Sequence, residues 1–150
     1  MTTHYKGPEK QRTALDCYIK LMRASQATTK RIHRHLRDWK ITPSQLGVLD
    51  ALYHLGPMLQ QELAEKNLMS PGNITMIVDN LAKRGLVRRR RQEKDRRAVK
   101  VYLTAEGKKL FEDMFPQHVQ GTVDEFQILT DAERKEFARL CRKLGLQRAD

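Results

Sequence analysis

Only two cysteines occur in 150 residues, Cys17 and Cys141, and they match no Cys-x-x-Cys spacing. That leaves no disulfide framework, zinc ribbon or dithiol redox motif. No apolar run reaches 18 residues, which excludes a helix spanning a bilayer. The opening stretch from Met1 to Pro8 has no apolar core and is not expected to act as a secretory signal. Enzyme signatures are missing too. There is no phosphate loop, no Gly-x-Ser-x-Gly and no His-Glu-x-x-His. His33 and His35 stand two apart, off a common helical face, and His4 and His118 have no ligand-like neighbours, so no metal or other cofactor is expected. Hydrophobic residues make up 39% of the chain, too many for a disordered one. No repeat, low-complexity tract or long linker interrupts residues 1–150, and a single cytoplasmic, non-enzymatic domain is expected.

Acidic residues are the other shortage, with 18 Asp and Glu against 29 Lys and Arg and a formal net charge of +11. The excess is localised. Residues 1–40 carry a balance of +7, residues 41–82 of −3, residues 83–100 of +8 and residues 101–150 of −1. The dense block contains Arg88-Arg89-Arg90-Arg91 and Lys94-Asp95-Arg96-Arg97, and sets up a positive potential that attracts a polyanion. A solvated charged loop is the plain alternative, and the neighbouring elements decide between them.

Apolar residues at Leu15, Ile19, Met22, Ile32, Leu36 and Trp39 predict a long amphipathic helix from about Leu15 to Trp39. Thr42, Pro43 and Gln45 form a capping-box start for a helix with Leu46, Leu49, Leu52 and Tyr53 on one face, ending near Gly56-Pro57. A short helix follows from Leu59 to Lys66, then a turn at Asn67-Leu68-Met69. Ser70-Pro71 opens the next helix, whose Ile74, Ile77, Val78 and Leu81 form a strict apolar stripe. Gly85 is placed to end it in the left-handed region. Its other face shows Gly72, Thr75, Met76, Asp79 and Lys83. After Gly85 the period falls to two. Leu86-Val87 and the alternation of Val99, Val101 and Leu103 read as a hairpin with the Arg-rich block at its tip. Thr104 caps a helix carrying Leu110, Phe111, Met114 and Phe115, which Pro116 is expected to kink or break. Helical patterning resumes at Val119, Val123 and Phe126. A second capping box, Thr130 to Glu133, leads a last helix with Phe137, Leu140, Cys141 and Leu144.

Two helices joined by a short turn resemble a helix-turn-helix, and a basic hairpin directly after them makes a winged unit. The second helix of such a unit reads base edges in the major groove from its N-terminal part. Ser70, Gly72, Asn73 and Thr75 are small enough for close approach. Asn73 suits adenine N6 and N7, and the Thr75 methyl suits thymine. Met76 and Lys83 share the exposed face, while Arg88 and Arg90 offer guanidinium groups to phosphates or a narrow minor groove. The bland alternative is a basic helical domain with polar surface residues. The expected fold class is mainly α with a small β-hairpin wing, and the expected partner is double-stranded DNA.

The stretches Leu63-Ala64-Glu65-Lys66, Ser70 to Thr75, and Val78 to Val87 resemble the MarR family of bacterial transcriptional regulators. Asp95-Arg96-Arg97 and Val101-Tyr102-Leu103-Thr104 are similar to that family's wing signature. The resemblance covers almost the whole chain. It implies a winged helix-turn-helix lobe over residues 41–104, flanked by helical dimerisation regions at 10–40 and 105–147. It also implies a homodimer on a pseudo-palindromic operator, with Arg97 entering the minor groove and Asp95 orienting it. Arg96 belongs to the same signature. The run Arg88 to Arg91 is more basic than the family pattern requires, which leaves open whether all four touch DNA. Leu15, Ile19, Met22, Phe137, Leu140 and Leu144 lack partners inside the central lobe and fit the interlocked dimer; packing within a monomer is the alternative.

The resemblance further implies repression relieved by a small aromatic ligand. Trp39, Tyr53, His54, Arg23, Met22, Phe111 and Met114 are the candidates near that junction, although such residues also serve as ordinary packing. Cys17, with Lys20 and Arg23 nearby, is an alternative thiol sensor of oxidants or quinones. A rival class is a nonspecific architectural nucleic-acid-binding protein without an effector, whose binding would depend on salt and not on sequence.

Overall fold

The computed structural model describes residues 3–91 and 98–146. The element order is α1 (Glu9–Ile32), a 3₁₀ turn (His33–Arg37), α2 (Pro43–Leu55), β1 (Met58–Leu59), α3 (Gln60–Lys66), α4 (Pro71–Lys83), β2 (Val87–Arg91), β3 (Val99–Leu103), α5 (Ala105–Phe126) and α6 (Asp131–Leu146). The chain is thus mainly helical with one antiparallel sheet of order β1-β3-β2. It divides into two compact units, Met1–Arg34 with His118–Asp150, and His35–Gln117. Among the described residues no helix is long and apolar enough to cross a membrane.

The core of the His35–Gln117 unit follows from helical periodicity. Ile74, Ile77, Val78 and Leu81 of α4 are buried with Leu46, Val48, Leu49 and Leu52 of α2, Leu63 of α3, and Val87, Val101, Phe111 and Met114. Helix α2 starts on the expected capping box. The Gln45 amide donates to Thr42 Oγ1 at 3.2 Å and the Thr42 amide to Gln45 Oε1 at 3.0 Å. Such a cap contributes about 1 kcal/mol. Thr104 both accepts from the Gly107 amide at 3.0 Å and donates to the Gly85 carbonyl at 2.6 Å, joining the start of α5 to the end of α4.

Three helical segments end in one motif. After the 3₁₀ turn, after α3 and after α4, a residue with positive φ is followed by an amide that donates to the carbonyl five residues back. These residues are Lys40 (φ 52°), Leu68 (φ 53°) and Gly85 (φ 72°); the bonds are Ile41 to Leu36, Met69 to Ala64 and Leu86 to Leu81. This is the Schellman arrangement, for which glycine is the strain-free residue. The first helix departs from the expected Leu15–Trp39. Regular helix runs from Glu9 to Ile32, the 3₁₀ turn follows over His33–Arg37 with Leu36 buried, and the chain reverses at Lys40, between the core residues Leu36 and Ile41.

Three further differences have local causes. Leu59 was expected in a helix, but Met58-Leu59 pairs with β3 (Met58 with Val101, Leu59 with Lys100), burying Met58 beside the sheet. Arg88–Arg91 were expected at the hairpin tip. They form most of β2 instead, with Val87 opposite Leu103, Arg89 opposite Val101 and Arg91 opposite Val99. Alternation lets Val87 enter the core while the arginine heads stay in solvent. Of the kink or break expected at Pro116, the break is absent, since α5 continues from Ala105 to Phe126. Pro116 cannot donate to the Glu112 carbonyl, and both residues are exposed, where a lost backbone bond costs less than in the core.

In the other unit, Arg31 Nε donates to both carboxylate oxygens of Glu125 at 2.9 and 2.7 Å. The guanidinium holds the Glu125 carboxyl below the usual carboxylate range. His33 and His118 stack with ring centroids 5.6 Å apart, and Phe126 lies 6.2 Å from Phe137. No residue of α1 or α6 is buried. Leu15, Met22, Phe137, Leu140 and Leu144 are all exposed apolar side chains.

Candidate nucleic-acid interface

Helix α4 is positioned by its buried stripe, and the same periodicity sets what it presents outward. Ser70 Oγ accepts from the Asn73 amide at 3.3 Å and so caps the helix. Pro71 occupies the first turn, where its missing N–H costs nothing. Gly72, Asn73, Met76, Asn80 and Lys83 are exposed and recur at helical spacing, forming one outward stripe. A Cβ built at Gly72 would meet nothing within 4 Å. The fold therefore places no demand on glycine there.

Thr75 and Asp79 lie on the flank of that stripe, and both are already engaged. Gln60 Nε2, at the start of α3, donates to Thr75 Oγ1 at 2.8 Å, while Thr75 Oγ1 donates to the Pro71 carbonyl at 2.8 Å. The hydroxyl is thus occupied in both senses, and the methyl is what Thr75 has left to offer. Asp79 pairs with Arg89. Arg84 donates to the carbonyls of Lys40 at 2.6 Å and Trp39 at 3.2 Å, tying the end of α4 to the turn before α2.

The four arginines of β2 divide by strand alternation. Arg89 shares the sheet side of buried Val87 and Val101 and reaches α4 through Asp79. Arg88 and Arg90 lie on the opposite, solvent side with Lys100 and Tyr102 of β3. The Arg88 guanidinium sits over the Tyr102 ring, 5.1 Å from its centroid. Arg90 and Lys100 are direct cross-strand partners. Asp95, Arg96 and Arg97 lie outside the described residues.

Of the effector candidates, Phe111 and Met114 are fully buried core, and Trp39 and Tyr53 pack against it. Tyr53, His54, Phe111 and Phe115 form one aromatic cluster, with Tyr53–Phe111 and Phe111–Phe115 centroids each 4.6 Å apart. The Tyr53 hydroxyl donates to Glu112 at 3.0 Å, and that carboxylate raises the phenol pKa. Beside it an open hollow of about 500 Å³ is lined by Leu52, Tyr53, Pro57, Leu103, Thr104 and Lys108 among others. Met22 and Arg23 are exposed on α1, as is Cys17; both cysteines are free thiols.

Sequence reasoning overlooked Asn80, Lys100 and Gln60. The first two were accessible to it: Asn80 stands seven residues after Asn73, and Lys100 alternates with half-buried Val99 and core Val101. Gln60 carried no local signal, because its partner lies 15 positions away.

A family model described as MarR family matches residues 41–99, from the start of α2 into β3. The HTH-type transcriptional repressor MdtR of Bacillus subtilis (strain 168) is 31% identical over 105 residues, covering 70% of this chain and 68% of that protein. The chain belongs to the MarR family. A further B. subtilis member, the HTH-type transcriptional regulator MhqR, is 29% identical over 133 residues, 89% of this chain and 92% of that one. Among solved structures, Bordetella bronchiseptica BpsR, whose DNA binding is regulated by 6-hydroxynicotinic acid, matches with a TM-score of 0.80 at 29% identity, over 86% of this chain and 98% of that one. The MarR family consists of transcriptional regulators, and this member is a DNA-binding regulator with the winged-helix fold.

Proposed function

We propose that this MarR-family chain is a homodimeric repressor of an inverted-repeat operator, released by a small aromatic ligand. The observation that carries the DNA-reading part is the outward stripe of α4. Its small and polar side chains Gly72 and Asn73 stand at the N-terminal end, Met76 and Asn80 follow, and Lys83 closes it toward the phosphates. Asn73 reads a base edge, the Thr75 methyl adds an apolar contact, and Ser70 sets the helix start that places both. Arg97 is the minor-groove arginine of the wing, with Asp95 orienting it and Arg96 beside it.

Support for the dimer comes from α1 and α6. Helices with a pronounced apolar face and no buried residue leave that face for a second copy. Ligand release is supported by the aromatic cluster and the adjoining hollow, whose volume is within the range of small-molecule sites, and by the response of the relative BpsR to an aromatic acid. A second trigger is favoured by one observation, the exposure of the Cys17 thiol on α1. An accessible thiol can be oxidised where a buried one is protected.

Selection of bound sequences from a random duplex pool at physiological salt tests the reading. Enrichment of an inverted repeat is expected. Binding without an enriched sequence would make the protein a charge-driven architectural factor instead. On the selected site, Arg97→Ala should cost about 1–3 kcal/mol with the dimer and its melting point intact. Peroxide or quinone treatment of the wild type and of Cys17→Ser, followed by DNA release, separates the two triggers.

A further inference from the structure

We infer that Gln60 is a positioning residue for base recognition. From the start of α3 it fixes the rotamer of Thr75, so that Thr75 meets the duplex with its methyl and withholds its hydroxyl, and each operator half-site carries a thymine opposite that methyl. This rests on the operator reading above and names what sets one base preference within it. Gln60 acts through Thr75 and needs no DNA contact of its own.

Threonine inside a helix divides between two rotamers, because its hydroxyl can reach the carbonyls of the preceding turn from either. The Thr75 hydroxyl donates to the Pro71 carbonyl at 2.8 Å, which leaves its oxygen able only to accept. Gln60 Nε2 donates to that oxygen at 2.8 Å. Since the single hydroxyl proton is committed to Pro71, the Gln60 amide must present its NH₂ group there and not its carbonyl. The donor thus selects the one rotamer that points Oγ1 toward α3. A turn of about 120° around χ1 would break this bond and carry the hydroxyl to another staggered position. A hydroxyl in the groove pairs with donors and acceptors alike and discriminates poorly, whereas a methyl finds its apolar match in thymine.

Two observations separate this role from ordinary packing. The base of the Gln60 side chain is held firmly: Leu59 pairs with Lys100 of β3, and the Leu59 amide donates to the Glu62 carboxylate at 2.7 Å. Gln60 Oε1, in contrast, is enclosed and accepts no hydrogen bond among the described residues. An unpaired buried acceptor opposes folding, and an unbranched apolar side chain such as methionine fills similar space without one. The fold alone therefore gives no reason for glutamine at this position; the NH₂ group on Thr75 does.

Deoxyuridine tests the inference, because it lacks only the C5 methyl of thymine. In one half-site of the selected operator each thymine is replaced in turn. Binding is measured for the full-length wild type, Gln60→Met, Thr75→Val and the double variant, after melting curves show the variants folded. The wild type should lose about 4-fold in affinity at the thymine that Thr75 meets, which is what burial of one methyl group contributes. In Gln60→Met that loss should fall to about half or less, as Thr75 divides between its rotamers. Valine carries a methyl at both γ positions, so in Thr75→Val the thymine preference should persist with or without Gln60. A wild type indifferent to every thymine methyl, a Met variant with the full loss at each, or an equal effect of Gln60→Met in the valine background would overturn the inference and leave operator recognition standing. Three-bond couplings of the Thr75 methyl in the free protein report χ1 without any DNA. They should show one rotamer in the wild type and an average in Gln60→Met; averaging in both, or in neither, would also overturn it. Failure to select any operator, with the couplings as expected, would remove the operator reading and the thymine preference with it.

Discussion

Gly72 offers a separation of folding from reading that few positions allow. It lies in the first turn of α4, and a methyl group added there enters open space. Gly72→Ala should therefore stabilise the protein, because alanine loses less backbone entropy on folding and suits a helix; the gain is about 0.4–1 kcal/mol. An unfolding entropy of about 2.1 cal/mol/K per residue gives roughly 0.3 kcal/mol/K for a chain of this size, so the melting temperature should rise by about 1–3 °C. DNA affinity should move the other way. If the helix sits on the groove floor, the methyl occupies space the bases need, and overpacking of that kind costs about 1–3 kcal/mol, or roughly 5- to 150-fold. The salt slope should not change, since no charge is removed. Calorimetry on the free protein and fluorescence anisotropy on the selected operator provide both readings. An Ala variant that binds as tightly as the wild type would refute close approach at Gly72. One that melts lower would refute the claim that the fold leaves this position free.

Gly107 is the contrasting case. A Cβ there would lie 2.0 Å from the Leu86 carbonyl oxygen, so Gly107→Ala should lower the melting temperature markedly and reduce soluble yield. Leu68 is 95% exposed with φ at 53°. Leu68→Asn should stabilise the protein by up to about 1 kcal/mol in chemical denaturation, because asparagine tolerates the left-handed region and no apolar burial is lost. Glu133 completes the cap of α6, and its hydrogen bond from the Thr130 amide holds the carboxyl below the usual carboxylate range. A depressed folded-state pKa contributes stability that is present above the unfolded value and lost as pH falls through the folded one. The stability difference between wild type and Glu133→Gln should therefore shift on acidification through and below the usual carboxylate range and stay flat near neutrality.

Features coded within one turn of chain could be read from the sequence. The capping boxes at Thr42 and Thr130, the cap at Ser70, the stripe of Ile74, Ile77, Val78 and Leu81, and the positive φ at Gly85 each depend on residues three or four positions apart. Features decided by distant partners could not. The two residues of β1 are too few to show alternation, and their strand exists only because β3 lies alongside. Lys40 and Leu68 take the conformation of glycine without being glycine, because tertiary burial of the residues around them outweighs the local preference. The same holds at the interface. Gly72 and Asn73 could be found by composition and position. The occupied hydroxyl of Thr75 and the division of the arginines between two faces depended on Gln60 and on strand pairing.

Among the described residues, the sheet order leaves one backbone edge of β2 without a neighbouring strand, a place where a second polypeptide could add itself and begin aggregation. Four consecutive arginines guard that border, since an identical segment approaching it brings the same charge. Whatever else these side chains bind, they also keep copies of the hairpin apart. Engineering the region toward neutrality, for instance to reduce unspecific adsorption, would strip that protection and should be accompanied by a check for oligomers growing through the wing.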